Sequence, residues 1–253
     1  MIKTVSYNIN GIRAAQKLGV LDWFKDFNAE IYCLQEVRAD KEICENILSG
    51  MAGYNVYYNC GDRKGYAGTA ILSKGVPGKV EIGMGKGLDI EGRTIALFFD
   101  DLVVINSYIP NGNTRLAFKL EYMEELLAYA KQLQKEHSVV LCLDTNVAYN
   151  EKDCSKPKLS QHRSGFLPIE RQKLAKFFDN GFVDAYREFN PDKPAYTWRS
   201  YKSRQVEFEV GTKFRFDYIM VNEKLKDKLK DCAIHNLEYS DHLPVVAEID
   251  VKL

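Results

Sequence analysis

Four short apolar runs, rich in β-branched residues and bounded by turn residues, each end on a polar side chain able to do chemistry. Ile2-Lys3-Thr4-Val5-Ser6-Tyr7 runs into Asn8, and Ile31-Tyr32-Cys33-Leu34-Gln35 into Glu36. Leu102-Val103-Val104-Ile105-Asn106-Ser107 runs into Tyr108, and Val139-Val140-Leu141-Cys142-Leu143 into Asp144. Runs of this length and composition read as buried strands. Two later runs reverse the order: Asp217 precedes Tyr218-Ile219-Met220-Val221, and Asp241-His242 precede Leu243-Pro244-Val245-Val246. If those two strands run antiparallel to the first four, all six polar ends meet at one sheet edge, where ligands of layered α/β folds tend to bind.

Any one of these residues alone reads more simply as a turn residue or a helix cap. Together they supply carboxylate, amide, phenol and imidazole at corresponding strand ends, which turn chemistry has no reason to do, and the set reads as a catalytic constellation. The chemistry that fits is phosphodiester hydrolysis, which requires neutralising an anionic phosphate, activating a water and stabilising charge on a trigonal-bipyramidal phosphorus. Glu36, with Asn8 and Asn10 close by, is a cradle for a hard divalent cation. A site with few carboxylates suits Mg2+, with Mn2+ as a substitute. Asp144 is placed to orient or deprotonate the attacking water, although an ordinary Asp, with a pKa near ~3.9, is a weak base at neutral pH and needs help from its surroundings. His242 can donate to a phosphate oxygen, best as imidazolium.

The chain resembles the exonuclease III family of apurinic/apyrimidinic endonucleases, within the deoxyribonuclease I-like superfamily of endonucleases, exonucleases and phosphatases. The resemblance runs from Ser6 to Val246. It is carried by Ser6-Tyr7-Asn8-Ile9-Asn10-Gly11-Ile12-Arg13-Ala14, Leu34-Gln35-Glu36, Lys64-Gly65-Tyr66-Ala67-Gly68, Tyr108-Ile109-Pro110-Asn111 and Asp144-Thr145-Asn146. Further matching pieces are Gly165-Phe166-Leu167-Pro168-Ile169-Glu170-Arg171, Tyr196-Thr197-Trp198, Arg215-Phe216-Asp217-Tyr218 and Ser240-Asp241-His242. The segments at 64–68, 165–171 and 196–198 are the ones that point to the DNA-repair branch.

The resemblance implies a four-layer α/β sandwich of two packed mixed β-sheets flanked by helices. It implies cleavage of the DNA backbone 5' to abasic sites, together with 3'-5' exonuclease and 3'-phosphatase activities, on double-stranded DNA with abasic or 3'-blocked damage. It assigns Tyr108, Asp144, Asn146, Asp217 and His242 to catalysis, with Asp217 orienting His242. Asn8, Glu36, Asp144, Asn146, Asp241 and His242 fall on the metal side. Asn10, Arg13, Lys64, Tyr66, Asn111, Arg115, Trp198, Phe214 and Phe216 fall on the substrate side, the last three matching an apolar pocket for a flipped-out abasic nucleotide. Core packing is an equally good reading of those three aromatics.

The sequence departs from the usual family pattern on the substrate side. Arg199 stands where a second Trp is common, Phe214 where Trp is common, and Leu143 where Gly often precedes the Asp. The stretch from Arg204 to Lys213 carries extra residues and the loop Gly112-Asn113-Thr114 is short. The proposed catalytic set is intact. The other reading is a superfamily phosphodiesterase or phosphatase acting on RNA or on a phosphorylated small molecule or lipid.

Composition sets the outer bounds. The 253 residues carry no linker-like, low-complexity or repeated tract, and one domain over 1–253 is expected. Lys plus Arg equals Asp plus Glu at 35 each, so DNA binding must come from local clusters. The candidates are Arg63-Lys64; Lys152, Lys156, Lys158, His162 and Arg163; and Arg199, Lys202, Arg204, Lys213 and Arg215. Six cysteines without metal-ligand spacing, two of them inside expected core strands, read as buried thiols of a cytoplasmic protein. No leader and no membrane span are expected, and the protein is expected to be a monomer. Amphipathic helices are expected from Arg115 to Lys135, with Leu116, Leu120, Met123, Leu127, Ala130 and Leu133 inward, and from Pro168 to Asn180. The layout suggests about ten strands and four helices.

Overall fold

The structure, a computed structural model, describes residues 1–85, 89–199 and 211–253. Fourteen strands are formed among them. They are β1 (Ile2–Asn8), β2 (Ile31–Gln35), β3 (Asn55–Asn59), β4 (Thr69–Ser73), β5 (Lys79–Ile82), β6 (Thr94–Phe98), β7 (Leu102–Tyr108), β8 (Ser138–Asp144), β9 (Phe182–Asp184), β10 (Trp198–Arg199), β11 (Lys213–Phe214), β12 (Asp217–Asn222), β13 (Leu229–Ile234) and β14 (Val245–Ile249). Eight α-helices accompany them: α1 (Ile12–Lys17), α2 (Val20–Phe27), α3 (Lys41–Leu48), α4 (Leu116–Leu133), α5 (Pro157–Ser160), α6 (Pro168–Asp179), α7 (Ala185–Phe189) and α8 (Glu223–Lys226).

Both counts exceed the expectation from sequence. The additions are mostly pieces too short to show a period, such as the two-residue strands β10 and β11 and the four-residue helices α5 and α8.

Two six-stranded sheets pack face to face, in the orders β13-β14-β1-β2-β4-β3 and β5-β6-β7-β8-β12-β9. Each holds one parallel pair, β1 with β2 and β7 with β8, and is otherwise antiparallel. The core between the sheets takes Ile31, Cys33, Ile71, Ile95, Val104, Cys142, Ile219 and Val245. A second core packs α4 and α6 on the outer face of one sheet through Tyr122, Leu126, Leu174 and Phe177, and a third packs α1 to α3 on the other through Ile12, Ala15, Phe24, Cys44 and Leu48. This is the expected four-layer sandwich. Strands covered on both faces explain the continuous apolar runs.

The inter-sheet core is not wholly apolar. Gln35 Nε2 of β2 donates to Asn106 Oδ1 of β7 at 2.8 Å, and Asn106 Nδ2 donates to the Leu34 and Ala70 carbonyls, both at 2.9 Å. Two buried amides thus stitch one sheet to the other; the Asn106 amide is paired at both ends, while Gln35 Oε1 has no hydrogen-bond partner among the described residues.

Two local expectations need correction. The inner stripe of α4 runs through Lys119, Tyr122, Met123, Leu126, Leu127 and Ala130, while Leu116, Leu120 and Leu133 are only partly buried. The helix is rotated because its inner face carries polar groups that find partners inside. Tyr122 Oη shares hydrogen bonds with Thr94 and Ser107, and Lys119 meets Glu170. Arg215, read as part of a basic surface cluster, is fully buried and ion-paired with Asp153 and Asp184. Lys202 and Arg204 lie outside the described residues. Five of the six cysteines are buried, Cys60 partly, and all are free thiols. No helix among the described residues is long and apolar enough to cross a membrane.

Candidate active site

Strand register brings the six polar ends together. Asn8 at the end of β1 lies beside Gln35 of the parallel β2, so Glu36 follows at the same edge. Tyr108 of β7 pairs with Asp144 of β8, and Asp144 with Asp217, the first residue of the antiparallel β12. β14 also runs antiparallel, Val245 opposite Ser6, and so holds Asp241 and His242 beside the end of β1. The two strands with reversed order therefore run antiparallel to their neighbours, as the shared-edge reading requires.

Hydrogen bonds then join the two sheets at this edge. Asn8 Nδ2 donates to Glu36 Oε1 at 3.0 Å and to Asp144 Oδ2 at 2.7 Å. His242 Nδ1 lies 2.9 Å from Asp217 Oδ2. The Asn8 side chain is fully spent, since its Oδ1 accepts the Asn10 amide at 3.0 Å. It braces the two carboxylates against each other. Asn10 Nδ2 donates to Asp241 Oδ1 at 2.8 Å, and Trp198 Nε1 donates to Asp241 Oδ2 at 3.2 Å.

The backbone at this edge is unusual. Asn10, Glu36 and Asn146 have positive φ of 49°, 51° and 50°. Asn tolerates this region, whereas Glu rarely enters it. The Glu36 conformation is held by the bond from Gly11 N to its carbonyl at 2.7 Å and by Val37 N to Gly68 O at 3.0 Å. Strained backbone of this kind concentrates at functional sites.

Charge is concentrated as well. Asp144 and Asp217 are fully buried, Glu36 and His242 nearly so, and one ligand atom each from Glu36, Asp144 and His242 lie within 4.8 Å of one another. Burial, with Asp217 and Glu36 nearby, pushes the Asp144 carboxyl well above the usual carboxylate range, against the pull of His242 and the Asn8 amide. Burial alone would lower His242, but Asp217 and Asp144 raise it to about 10, so the ring is an imidazolium at neutral pH. Burial and the Glu36 and Asp144 charges push the Tyr108 phenol up and keep it protonated.

The set suits a hard divalent cation. It offers several carboxylate oxygens in a small volume with more negative than positive charge, Asp217 Oδ1 is buried with no hydrogen-bond partner among the described residues, and a guanidinium, Arg38, ion-pairs the other oxygen of Glu36.

An open cleft of ≈ 1140 Å³ fronts this edge. Asn10, Glu36, Tyr108, Asn111, Asn146, Asp241 and His242 line its floor, and Trp198, Phe214 and Phe216 one wall. The aromatics serve both readings at once. Phe214 and Phe216 are buried and stacked with centroids 4.9 Å apart, Trp198 stacks on Phe216 at 5.4 Å, and all three still border the cleft. Gly165 in the facing loop has φ 93°, and a Cβ there would fall 2.7 Å from the Phe216 ring, so this loop can close on the aromatic wall only as Gly. Arg13 and Lys64 are exposed and do not line the cleft, nor do Tyr66 and Arg115. Arg115 instead donates to Glu91 Oε1 at 2.6 Å and stacks over Phe118.

Sequence reasoning passed over several residues here. Arg38 follows the strand end but was not separated from surface charge. Arg93 is buried, lies 4.5 Å over the Tyr108 ring and donates to the Tyr108 carbonyl at 3.1 Å. Glu91 joins Arg93 to Arg115. The sequence signal for this group is the composition of the connection between β5 and β6, residues 83–93, which holds four glycines and four charged residues.

A family model for the endonuclease/exonuclease/phosphatase family matches residues 5–242. The chain belongs to this family. Among curated family members, the exodeoxyribonuclease of Bacillus subtilis (strain 168) is 37% identical over 257 residues, covering 99% of this chain and 100% of that protein. The DNA repair nuclease APEX1 of Danio rerio is 35% identical, covering 96% and 81%. Among solved structures, an AP endonuclease from Archaeoglobus fulgidus superposes with TM-score 0.89 at 30% identity, covering 99% and 100%. The 3' phosphatase NExo from Neisseria, bound to product DNA hairpin, gives 0.89 at 28% identity, covering 99% and 100%.

Proposed function

We propose that this chain is a Mg2+-dependent DNA-repair phosphodiesterase that hydrolyses the backbone 5' to abasic sites and also removes nucleotides or blocking phosphates from 3' ends. The single observation that carries this reading is the pairing of His242 with Asp217 across the two sheets, beside Glu36 and Asp144, at the floor of a cleft with an aromatic wall. The relatives named above, an exodeoxyribonuclease, a DNA repair nuclease, an AP endonuclease and a 3' phosphatase, support the same substrate class.

Each residue then has a physical task. Glu36, with Asp241 and Asp144 near, would hold the divalent cation, which when bound neutralises phosphate charge and polarises the scissile group. Asp144, its basicity raised by burial, takes the proton of the attacking water. His242 donates from Nε2 to a non-bridging phosphate oxygen while Asp217 accepts from Nδ1, which stabilises the imidazolium and fixes the orientation of its ring. The Tyr108 phenol and the Asn146 amide add neutral donors to the phosphate. Water attacks phosphorus in line, the bond from phosphorus to the 3' oxygen breaks, and no covalent enzyme intermediate forms. Trp198, Phe214 and Phe216 flank the space for an extruded sugar without a base, the cheapest nucleotide to flip out. The protein acts as a monomer of one domain over residues 1–253. Its six free thiols suit the reducing cytoplasm.

Strand cleavage of a duplex carrying one abasic-site analogue, with Mg2+ or with chelator and beside an undamaged duplex, tests the reading. Mg2+-dependent nicking immediately 5' to the lesion is expected. A folded protein that nicks neither duplex would turn attention to RNA and to phosphorylated small molecules.

A further inference from the structure

Lys119 and Glu170 are both fully buried and lie outside the catalytic set. Lys119 Nζ donates to Glu170 Oε1 at 2.7 Å and to the Asn146 carbonyl at 2.7 Å. Glu170 uses both oxygens. Oε1 also accepts the Ser164 hydroxyl at 3.1 Å, and Oε2 accepts the Gly165 amide at 2.7 Å and the Leu167 amide at 3.1 Å.

Three cleft-bordering segments therefore converge on one ion pair: the turn after β8 that carries Asn146, the loop 164–167, and the loop at Gly112. A Cβ at Gly112 would lie 2.7 Å from Glu170 Oε1 and 2.7 Å from Ser164 Oγ, so that loop packs directly on the pair.

A buried ion pair is a poor device for stability, because desolvating two charges offsets most of their attraction, and well-packed apolar residues often serve as well. What it supplies is direction. The ammonium fixes a carbonyl whose residue sits at φ 50°, and the carboxylate fixes two amides of the loop that faces the aromatic wall. Asn146 is further tied by its amide to Asp144 Oδ1 at 3.0 Å and by its side chain to the Ile109 carbonyl at 3.0 Å. A shift of the Asn146 carbonyl is thus transmitted to the proposed base.

We propose that Lys119 and Glu170 are positioning residues of the reaction, a buried clamp that sets the Asn146 turn and the loop 164–167 relative to the phosphate. This deepens the function proposed above and rests on it. Neither residue touches substrate.

The test compares steady-state cleavage of the abasic duplex by wild type and Lys119→Met, with circular dichroism as the folding control. Misplacement by about an ångström costs up to ~100-fold, so Lys119→Met is expected to lower kcat roughly 10- to 100-fold with KM changed less than about threefold. Wild-type kcat in folded Lys119→Met overturns the proposal.

Should Lys119→Met misfold, the doubly apolar Lys119→Met/Glu170→Leu replaces the pair without leaving a lone buried charge. It is expected to fold with the same kcat loss, and full activity in it would overturn the proposal. Hydrogen exchange over 144–147 and 164–167 reads the clamp independently of any substrate. Exchange at both segments is expected to quicken in these variants, and unchanged protection overturns the clamp. Failure of wild type to nick the duplex, with exchange altered as expected, would count against the proposed function and not against the clamp.

Discussion

Two buried charged clusters in this molecule are built on opposite principles. One joins Asp153, Asp184, Arg187 and Arg215, two acids and two bases. Arg215 Nε lies 2.7 Å from Asp153 Oδ1, its Nη2 lies 2.6 Å from Asp184 Oδ2, Arg187 pairs with Asp153, and the Arg215 guanidinium stacks 4.1 Å from the Tyr218 ring centroid. The other, at the sheet edge, gathers Glu36, Asp144, Asp217 and Asp241 around the imidazolium of His242, with Arg38 reaching in to Glu36 from the exposed side. The first cluster balances its own charge, two guanidinium groups against two carboxylates, although Arg187 Nε is buried with no hydrogen-bond partner among the described residues. The second carries surplus negative charge and residues at positive φ, and it opens on a cleft. Internal neutrality marks architecture, and an unbalanced cluster on a cleft marks a place where an external charge belongs.

The contrast predicts that substitutions divide by cluster, with activity lost at one and stability at the other. The largest effect is expected from Asp144→Asn and His242→Ala, which should lower cleavage by about 10³-fold or more while DNA binding, measured by fluorescence anisotropy, is kept. Wild-type rates in either variant would remove that residue from the mechanism.

In the balanced cluster, Asp153→Asn should leave kcat within about twofold but cost roughly 3–5 kcal/mol of stability at neutral pH, because Arg215 loses a partner in the core. Burial would raise the Asp153 carboxyl, yet Arg215 and Arg187 hold it below its ordinary value of 3.8. A depressed folded-state pKa stabilises above the unfolded pKa and stops doing so as pH falls through the folded one. Denaturant titrations of wild type and Asp153→Asn should therefore differ most at neutral pH, and their gap should shrink from about pH 4 downward. A pH-independent gap would show that the loss is packing alone.

A smaller effect is expected from Asp217→Asn, which keeps the shape of the pair but weakens the hold on the imidazolium. Roughly a 10- to 100-fold loss of kcat, with melting temperature kept, is the expected result. Smaller still, Trp198→Ala should raise KM roughly tenfold with little change in kcat, as loss of a stacking wall does. A pure kcat effect there would make Trp198 a support for Asp241 rather than a substrate contact.

The division also tracks what could be read from the sequence. The sheet-edge set was legible because each member stands at the end of an apolar run, so local pattern and register together placed Asn8, Glu36, Tyr108, Asp144, Asp217 and His242. The balanced cluster was not. Arg215 lies 62 residues from Asp153 and 31 from Asp184, so nothing near it in the chain marks it as a core residue, and it read as surface charge. Lys119 was hidden for a related reason: a lysine on an amphipathic helix reads as solvent-facing unless its partner, 51 residues away, is known. Arg93 was passed over likewise, since the Tyr108 ring and carbonyl that it meets arrive from β7. Apolar periodicity reports burial of apolar groups only, and buried polar groups are invisible to it.

The central claim is that the unbalanced cluster is a cation site. Isothermal titration of Mn2+ into wild type and Glu36→Gln, both without DNA, tests it most directly. Saturable binding to wild type that is lost or greatly weakened in Glu36→Gln is the predicted result. Absent binding in wild type, or equal binding in the two proteins, would contradict it.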